Sequence, residues 1–231
     1  GIVAGSWDVD GRAAGVAPNV SVLPIKAADD AGAFSDTSIS NGIRYATQHG
    51  ARVINLSLRG TDPLPMTSAA IAEARRAGVL VVAATGNDGQ NQVSYPAAYE
   101  GVLTVGSSVN GRRSTFSNGG ARLDITAPGE NVLSSQNGSY GERSGTSMSS
   151  PYVAGVAALV MARNPQWTTK QVKAQLINTA TDFGARGKDT DFGYGENDVW
   201  AAVYGAGQSP VAPTQPQPYP TQPAQPYPSY P

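Results

Sequence analysis

Cysteine is absent from this 231-residue chain, and histidine occurs once, as His49. Without cysteine the chain has no disulfide, no thiolate nucleophile and no cysteine-ligated metal. The absence does not identify a cellular compartment, since secreted proteins can also lack cysteine. The single histidine leaves only one position in the chain from which an imidazole base could act.

Charge is also scarce. Only 14% of the residues are charged, against roughly 25% in an average domain. The formal net charge is −1, and no basic cluster exceeds a pair such as Arg112–Arg113, so no field attracts nucleic acid or an anionic membrane. No apolar run approaches the ~20 residues of a membrane span. We therefore expect no nucleic-acid partner, no membrane span and a surface of uncharged polar residues.

Residues 208–231 differ from the rest of the chain. More than half of the 17 prolines lie there, among Gln-Pro-Tyr-Pro repeats, a composition typical of extended polyproline-like segments without a core. We predict a globular domain over residues 1–207 and a disordered tail or linker over residues 208–231, which could join the domain to another module. Recognition of the tail by an aromatic groove is the alternative.

Within residues 1–207, apolar strand-like runs alternate with helical patterns. This alternation predicts an α/β fold with a mostly parallel sheet, in which ligands bind beyond the carboxyl ends of the strands. The predicted strands cover residues 20–26, 52–58, 79–84, 102–107 and 123–126. The predicted helices run from Asp36 or Thr37 to His49 and over residues 66–77, 147–163 and 168–179.

Residues 144–151 (Ser-Gly-Thr-Ser-Met-Ser-Ser-Pro) pass directly into an apolar helical run. This turn places the Ser147 hydroxyl at a helix N-terminus, where free N–H groups and the macrodipole favour a developing negative charge. Such a position suits the nucleophile of an acyl-transfer enzyme. The alternative is a serine-rich helix cap with Pro151 in its first turn.

Two predicted strands end in glycine-bordered polar segments. The strand over residues 79–84 continues as Thr85-Gly86-Asn87-Asp88-Gly89, where Asn87 is either a turn residue or an amide donor above the sheet. The strand over residues 52–58 ends at Ser57-Leu58-Arg59-Gly60. Glycines at such positions permit close approach by a turn or by an extended peptide.

Taken together, these segments resemble the subtilisin-like serine proteases (subtilases, peptidase S8). Seven further landmarks match that family in chain order between about residues 1 and 205. They are residues 15–18 (Gly-Val-Ala-Pro), 53–58 (Val-Ile-Asn-Leu-Ser-Leu), 83–89, 95–97 (Tyr-Pro-Ala), 116–119 (Phe-Ser-Asn-Gly), 127–129 (Ala-Pro-Gly) and 193–195 (Gly-Tyr-Gly), beside the Gly-Thr-Ser-Met segment at 145–148.

The resemblance implies a three-layer α/β sandwich and a serine endopeptidase that acts through an acyl-enzyme on Ser147. It also implies an oxyanion hole formed by the Ser147 N–H and the Asn87 side-chain amide. The substrate backbone would lie between two segments, Ser57, Leu58, Arg59 and Gly60 on one side and Ala84, Thr85 and Gly86 on the other. Polypeptides are then the expected substrates, and Asp88 near the rim suggests tolerance of a positively charged side chain.

The chain departs from the family at the catalytic base. In the family the order is Asp, His, Ser along the chain, and its His segment runs directly into the Gly-Ile-Val-Ala-Gly with which this chain opens. His49 lies elsewhere, at a predicted helix end. We therefore expect the Asp and His segments upstream of residue 1, no useful hydrolysis by residues 1–231 alone, and two unpaired inner sheet edges where the Asp strand belongs.

Several expectations accompany this interpretation. No cofactor is required, although calcium could serve as a structural ion near Asp8 and Asp10 or near Asp29 and Asp30, neither of which has EF-hand spacing. We expect a secreted, monomeric protein. The competing hypothesis is a non-catalytic peptide-binding relative that keeps Ser147 and Asn87, and a third is an incomplete gene product of the same ancestry.

Overall fold

The computed structural model describes residues 1–5, 14–136 and 139–205. Seven strands and five helices form in the described residues. The strands are β1 (Val53–Leu56), β2 (Leu80–Ala84), β3 (Leu103–Val109), β4 (Arg112–Arg113), β5 (Ile125–Pro128), β6 (Val132–Gln136) and β7 (Ser139–Arg143). The helices are α1 (Asp36–Gln48), α2 (Pro65–Arg76), α3 (Thr146–Arg163), α4 (Thr169–Asn178) and α5 (Val199–Tyr204).

Four parallel strands form the central sheet in the order β1-β2-β3-β5. The short strand β4 pairs antiparallel with the end of β3, and β6 and β7 form a separate hairpin. Every residue of β2 is buried, which is typical of a parallel strand covered by helices on both faces. The mostly parallel α/β sheet predicted from the sequence is confirmed.

Helices cover both faces of this sheet. On one face, Ile54 and Val81 pack in a cluster with Ile43 of α1 and Ile71 of α2. On the other face, the strand residues that alternate with these, such as Val82, pack against α3, α4 and α5. The result is the predicted three-layer arrangement, with two apolar cores separated by the sheet.

The helix boundaries agree with the predicted ones to within one residue, but one cap differs. Ser35, rather than Asp36 or Thr37, caps α1 through a capping box with Ser38. Asp36 instead accepts hydrogen bonds from the backbone of Met66 and Thr67 and from the Thr67 hydroxyl. The Asp36 carboxylate therefore caps the start of α2 and does not cap α1, to whose first turn it belongs.

The predicted strand at residues 20–26 is wrong. This stretch forms no ladder with any described residue, and Val22, Leu23 and Ile25 are 60%, 42% and 38% exposed. A strand needs a neighbour about 4.8 Å away, whereas a cavity of about 1140 Å³ lies between this stretch and β1. The apolar pattern is present, but no described strand lies next to this stretch, because the cavity separates it from the open edge of β1.

Three elements were not predicted: β4, the β6–β7 hairpin and α5. Strand β7 has no buried residue, so its sequence carries no apolar alternation to reveal it. Helix α5 has six residues, too few for a helical period to be recognised. The predicted tail at residues 208–231 lies outside the described residues.

Candidate active site

Ser147 is the second residue of α3, immediately after the buried Thr146. Gly145 caps the helix with φ 153°, a conformation that side-chain-bearing residues rarely adopt. A Cβ at Gly145 would also lie 3.4 Å from the Asn87 amide nitrogen. The glycine thus allows the chain to enter the helix close to Asn87.

The first amides of α3 have different partners. The Thr146 N–H donates to Asn87 Oδ1 at 2.9 Å, and the Met148 N–H donates to the Gly145 carbonyl at 2.9 Å. The Ser147 N–H between them has no acceptor among the described residues. A free donor therefore remains beside the Ser147 hydroxyl, at the positive end of the helix dipole.

Asn87 follows β2 and is exposed. Its Oδ1 accepts from both the Thr146 N–H and the Thr146 hydroxyl, each at 2.9 Å. Because the oxygen is fixed in this way, the side-chain NH₂ is the end of the amide that remains free among the described residues. The structure brings Asn87 and the start of α3 into direct contact, as the sequence analysis required.

A buried asparagine holds the loop that carries Asn87. Asn118, which is 1% exposed, donates from Nδ2 to Thr85 O at 3.2 Å and to Ser94 Oγ at 3.1 Å. Its Oδ1 accepts from the N–H groups of Asp88 and Gln90 at 2.9 and 3.0 Å. The sequence marked Asn118 only as part of the Phe-Ser-Asn-Gly landmark, since contacts between distant loops have no local pattern.

Pro151 lies inside α3, at its sixth position, and not in the first turn, where the alternative interpretation as a serine-rich cap placed it. A proline has no N–H, so the carbonyl four residues earlier, that of Ser147, loses its helical donor. The Ser57 hydroxyl donates to this carbonyl at 3.1 Å. The proline thus leaves the Ser147 carbonyl free to accept the hydrogen bond from Ser57, which joins the end of β1 to α3.

Asn55 extends this connection. Its Nδ2 donates to Ser57 Oγ at 3.1 Å, and its Oδ1 accepts from the buried Ser150 hydroxyl at 2.7 Å. The three bonds, from Ser150 through Asn55 and Ser57 to the Ser147 carbonyl, fix the first turns of α3 against β1. The sequence analysis did not identify this role for Asn55.

The two predicted substrate-flanking segments lie at the carboxyl ends of adjacent strands. Ser57, Leu58 and Arg59 follow β1, and Gly60 exchanges two backbone hydrogen bonds with Tyr95, at 2.8 and 3.1 Å. Ala84, Thr85 and Gly86 are buried at the end of β2. Both segments therefore border the position of Ser147, although only the first exposes side chains.

An ion pair connects the two strand ends. Arg59 donates from Nη1 to Asp88 Oδ1, and Asn118 Nδ2 contacts Asp88 Oδ2 at 3.3 Å. The hydrogen bond from Arg59, supported by that from Asn118, holds the pKa of Asp88 below its ordinary value. The Asp88 carboxylate is therefore already paired with the guanidinium of Arg59.

His49 does not approach Ser147. It caps the C-terminus of α1, stacks on Tyr45 with ring centroids 3.8 Å apart, and is exposed. It precedes β1, whereas Ser57 follows it, and four strand residues separate the two by roughly 13 Å along the strand. The expected helix-end position is confirmed, and the only histidine of the chain lies at the wrong end of the sheet to contact the serine.

The proposed calcium ligands are only partly described. Asp8 and Asp10 lie outside the described residues. Asp29 Oδ1 accepts from the backbone of Ala31 and Ala33, at 3.0 and 2.8 Å, and Asp30 pairs with Lys26. The described residues contain no group of three or more metal-binding side chains. Since calcium takes six to eight oxygen ligands, these two carboxylates alone would not complete a site, and calcium at Asp29 and Asp30 stays a prediction.

No helix in the described part of the chain is long and apolar enough to span a membrane.

Similar proteins were found both by sequence and by structure. The chain is 45% identical over 173 residues to an alkaline protease of Alkalihalobacillus alcalophilus, covering 74% of this chain and 46% of that protein. It is 44% identical to subtilisin Savinase of Lederbergia lenta, covering 74% and 64%. A solved protease structure from Pseudoalteromonas arctica superposes with a TM-score of 0.75 at 36% identity, covering 82% of this chain and 64% of that one.

The chain thus spans between about half and two thirds of the length of these relatives. The match to the family itself covers residues 1–195, which include every site residue described above. The chain belongs to the subtilase family of peptidases, S8.

Proposed function

We propose that this chain carries the nucleophile and the oxyanion hole of a serine endopeptidase. The observation that carries the proposal is the contact between Asn87 and Thr146, which sets a free amide NH₂ beside Ser147 and its free N–H. Two donors and one hydroxyl thus meet at a helix N-terminus. Tetrahedral intermediates of acyl transfer need this combination.

In the proposed reaction, Ser147 Oγ attacks the scissile carbonyl carbon and its proton passes to a base. The carbonyl oxygen becomes an oxyanion between the Ser147 N–H and the Asn87 NH₂. Collapse of this intermediate breaks the peptide C–N bond, releases the amine with a proton, and leaves an acyl-enzyme ester that water hydrolyses. In a subtilisin, loss of the side-chain donor costs roughly 2.7–4 kcal/mol of barrier, a value that belongs to that relative.

The substrates proposed are extended polypeptides. Ser57, Leu58, Arg59 and Gly60 follow one strand and Ala84, Thr85 and Gly86 follow its neighbour, so a peptide between them can bond to backbone groups on either side. Leu58 is half-buried and Thr85 and Gly86 are buried, so the exposed side chains beside such a peptide are those of Arg59 and Asp88. Backbone recognition of this kind is tolerant of sequence.

Ser147 needs a base, and the described residues place no imidazole beside it. A serine hydroxyl is a weak nucleophile at neutral pH, and His49 lies at the opposite end of β1. In subtilisins, removal of the base costs about 10⁶ in turnover. We therefore propose that residues 1–231 alone hydrolyse no peptide bond at a useful rate, and that a protein which also carries the family's Asp and His segments is active.

The test compares residues 1–231 with the complete product of the gene. Both are treated with a fluorophosphonate probe and a quenched peptide substrate, and each is paired with its Ser147→Ala variant. We expect labelling and cleavage by the complete product only, both lost in the variant. Cleavage by residues 1–231 that disappears in Ser147→Ala would contradict the missing base, and a complete product that binds peptide without labelling would establish the peptide-binding alternative.

We further propose a secreted monomer. Support comes from the low charge and the uncharged polar composition. Secretion is tested by immunoblotting of culture medium against cell lysate, and the oligomeric state by sedimentation of the complete product. Detection in the lysate alone, or a dimer, would contradict the respective statement.

A further inference from the structure

The Arg59–Asp88 ion pair lies beside the proposed reaction site. Two residues before Arg59, Ser57 donates to the Ser147 carbonyl. One residue before Asp88, Asn87 accepts from Thr146. Both members of the pair therefore follow residues that contact the start of α3. The pair connects the segment that follows β1 to the segment that follows β2.

The acceptors of Asp88 are already in use. Its Oδ1 receives Arg59 Nη1, and its Oδ2 faces Asn118 Nδ2 at 3.3 Å. The Asp88 N–H in turn donates to Asn118 Oδ1 at 2.9 Å, which fixes the backbone of this residue. A cationic substrate side chain that approaches this carboxylate therefore also meets the positive charge of Arg59.

Arg59 still has donors to offer. A guanidinium carries five N–H groups, and the structure shows only Nη1 engaged with a described residue. The Arg59 side chain is 48% exposed, so Nε and Nη2 can be approached from the cleft. The rim therefore presents unused donors of Arg59 beside a carboxylate, that of Asp88, each of whose oxygens already has a partner.

We propose that Arg59 is a specificity-determining residue that favours peptides with an acidic side chain near the scissile bond and disfavours basic ones. The inference rests on the proposed function, because it assumes that peptides occupy the cleft. It reverses the preference that Asp88 suggested from sequence alone, where its partner could not be seen. Carboxylates are the natural ligands of a guanidinium, since both of its edges can donate in parallel.

The experiment measures peptide binding to residues 1–231, which requires no catalytic base. An alanine pentapeptide labelled with fluorescein carries a single Glu, Gln or Lys, scanned through its five positions, and Kd is read from fluorescence anisotropy. At the tightest position we expect Glu to bind about threefold more tightly than Gln and about tenfold more tightly than Lys, the scale of exposed charge pairs. Low salt should widen the gap.

Three variants identify the responsible residue. Arg59→Gln should bring the Glu and Lys peptides within twofold of each other, and Arg59→Lys should preserve the order. Arg76→Gln removes an exposed arginine of α2 that neighbours Val79 and Leu80, at the opposite end of β2, and should change nothing.

A Lys peptide that binds as tightly as the Glu peptide, or an Arg59→Gln variant with an unchanged ratio, overturns the role of Arg59. In that case the Gln peptide still binds, so the cleft and the proposed function stand. Binding of none of the three peptides contradicts both.

Discussion

The two sides of the central sheet are organised very differently. Strand β2 pairs along both edges and is buried along its whole length. Strand β1 pairs only with β2 among the described residues. Beyond its free edge lies the cavity of about 1140 Å³, lined by β1, α1, α3 and the unpaired residues 20–27. One side is a completed sheet, and the other is a sheet interrupted at one strand position.

The contacts that hold the candidate site come from both sides of the sheet. Those that fix Asn87 lie on the completed side, whereas those through Asn55 and Ser57, which hold the start of α3, lie at the wall of the cavity. The contacts run from the end of β1 to α3, through Ser57 and Asn55, and within the loops after β2 and β3, through Asn118. The loop that carries Asn87 is therefore built by the completed side, whereas the first turns of α3 are also held by two residues that line the cavity.

The largest effect is expected in amide exchange within β1. The Leu80 N–H donates to the Arg52 carbonyl. In a parallel pair, the backbone N–H groups of Ile54 and Leu56 therefore point to β2, and those of Val53 and Asn55 point to the open edge. Paired amides exchange through opening that costs several kcal/mol, and unpaired ones through opening that costs almost nothing. NMR exchange should show Ile54 protected at least about 10³-fold more than Val53. Equal protection of both residues would mean that the open edge is covered.

Truncation of one leucine on each side should show the second largest contrast. Leu103 of β3 is fully buried, whereas Leu23 beside the cavity is 42% exposed. Leu103→Ala should lower the free energy of unfolding by about 2–5 kcal/mol, and Leu23→Ala by less than about 1 kcal/mol. Urea denaturation of the two variants measures both. Comparable losses would indicate that residues 20–27 are packed in solution.

Asn118 tests whether the site depends on the completed side. Asn118→Ala removes the partner of three acceptors, which are a carbonyl, a hydroxyl and a carboxylate, and of two N–H groups, for a loss of about 2–3 kcal/mol in the free energy of unfolding. It should also weaken binding of the neutral pentapeptide, because the loop with Asn87 loses its support. Asn41→Ala, at an exposed position of α1, is the matched control. An unchanged midpoint for Asn118→Ala would contradict its positioning role.

The sequence predicted much of this arrangement, for identifiable reasons. The strands at residues 79–84 and 102–107 are apolar on both faces, so burial alone specifies them. Ser147 and Asn87 were found because a turn after a strand and a turn before a helix are local features. The roles of Asn118 and Asn55, and the Arg59 partner of Asp88, were missed because they depend on contacts with residues 24 to 95 positions away in the chain.

The error at residues 20–26 has a different origin. The stretch has the composition of a buried strand, with Val20, Val22, Leu23 and Ile25. A strand, however, is defined by its neighbour, and composition reports only the tendency to be buried. Ile25 of this stretch does approach α1, where a Cβ added to Gly42 would lie 3.0 Å from the Ile25 side chain.

The smallest effect concerns the ion pair that joins α1, a wall of the cavity, to α2 on the completed side. Arg44 donates from Nε to Glu73 Oε2 at 2.8 Å and from Nη2 to Oε1 at 3.2 Å. The hydrogen bond from Arg44 is the main reason that the pKa of Glu73 lies below its ordinary value of 4.5.

A lowered carboxyl pKa stabilises the fold above pH 4.5, and this contribution is lost as the pH falls through the lowered pKa. Melting temperatures between pH 7 and 3 should therefore fall more steeply for the unmodified chain than for Glu73→Gln. Since both side chains are partly exposed, the difference should be small and should shrink in high salt; parallel curves would show that α1 is not held to α2 by this pair.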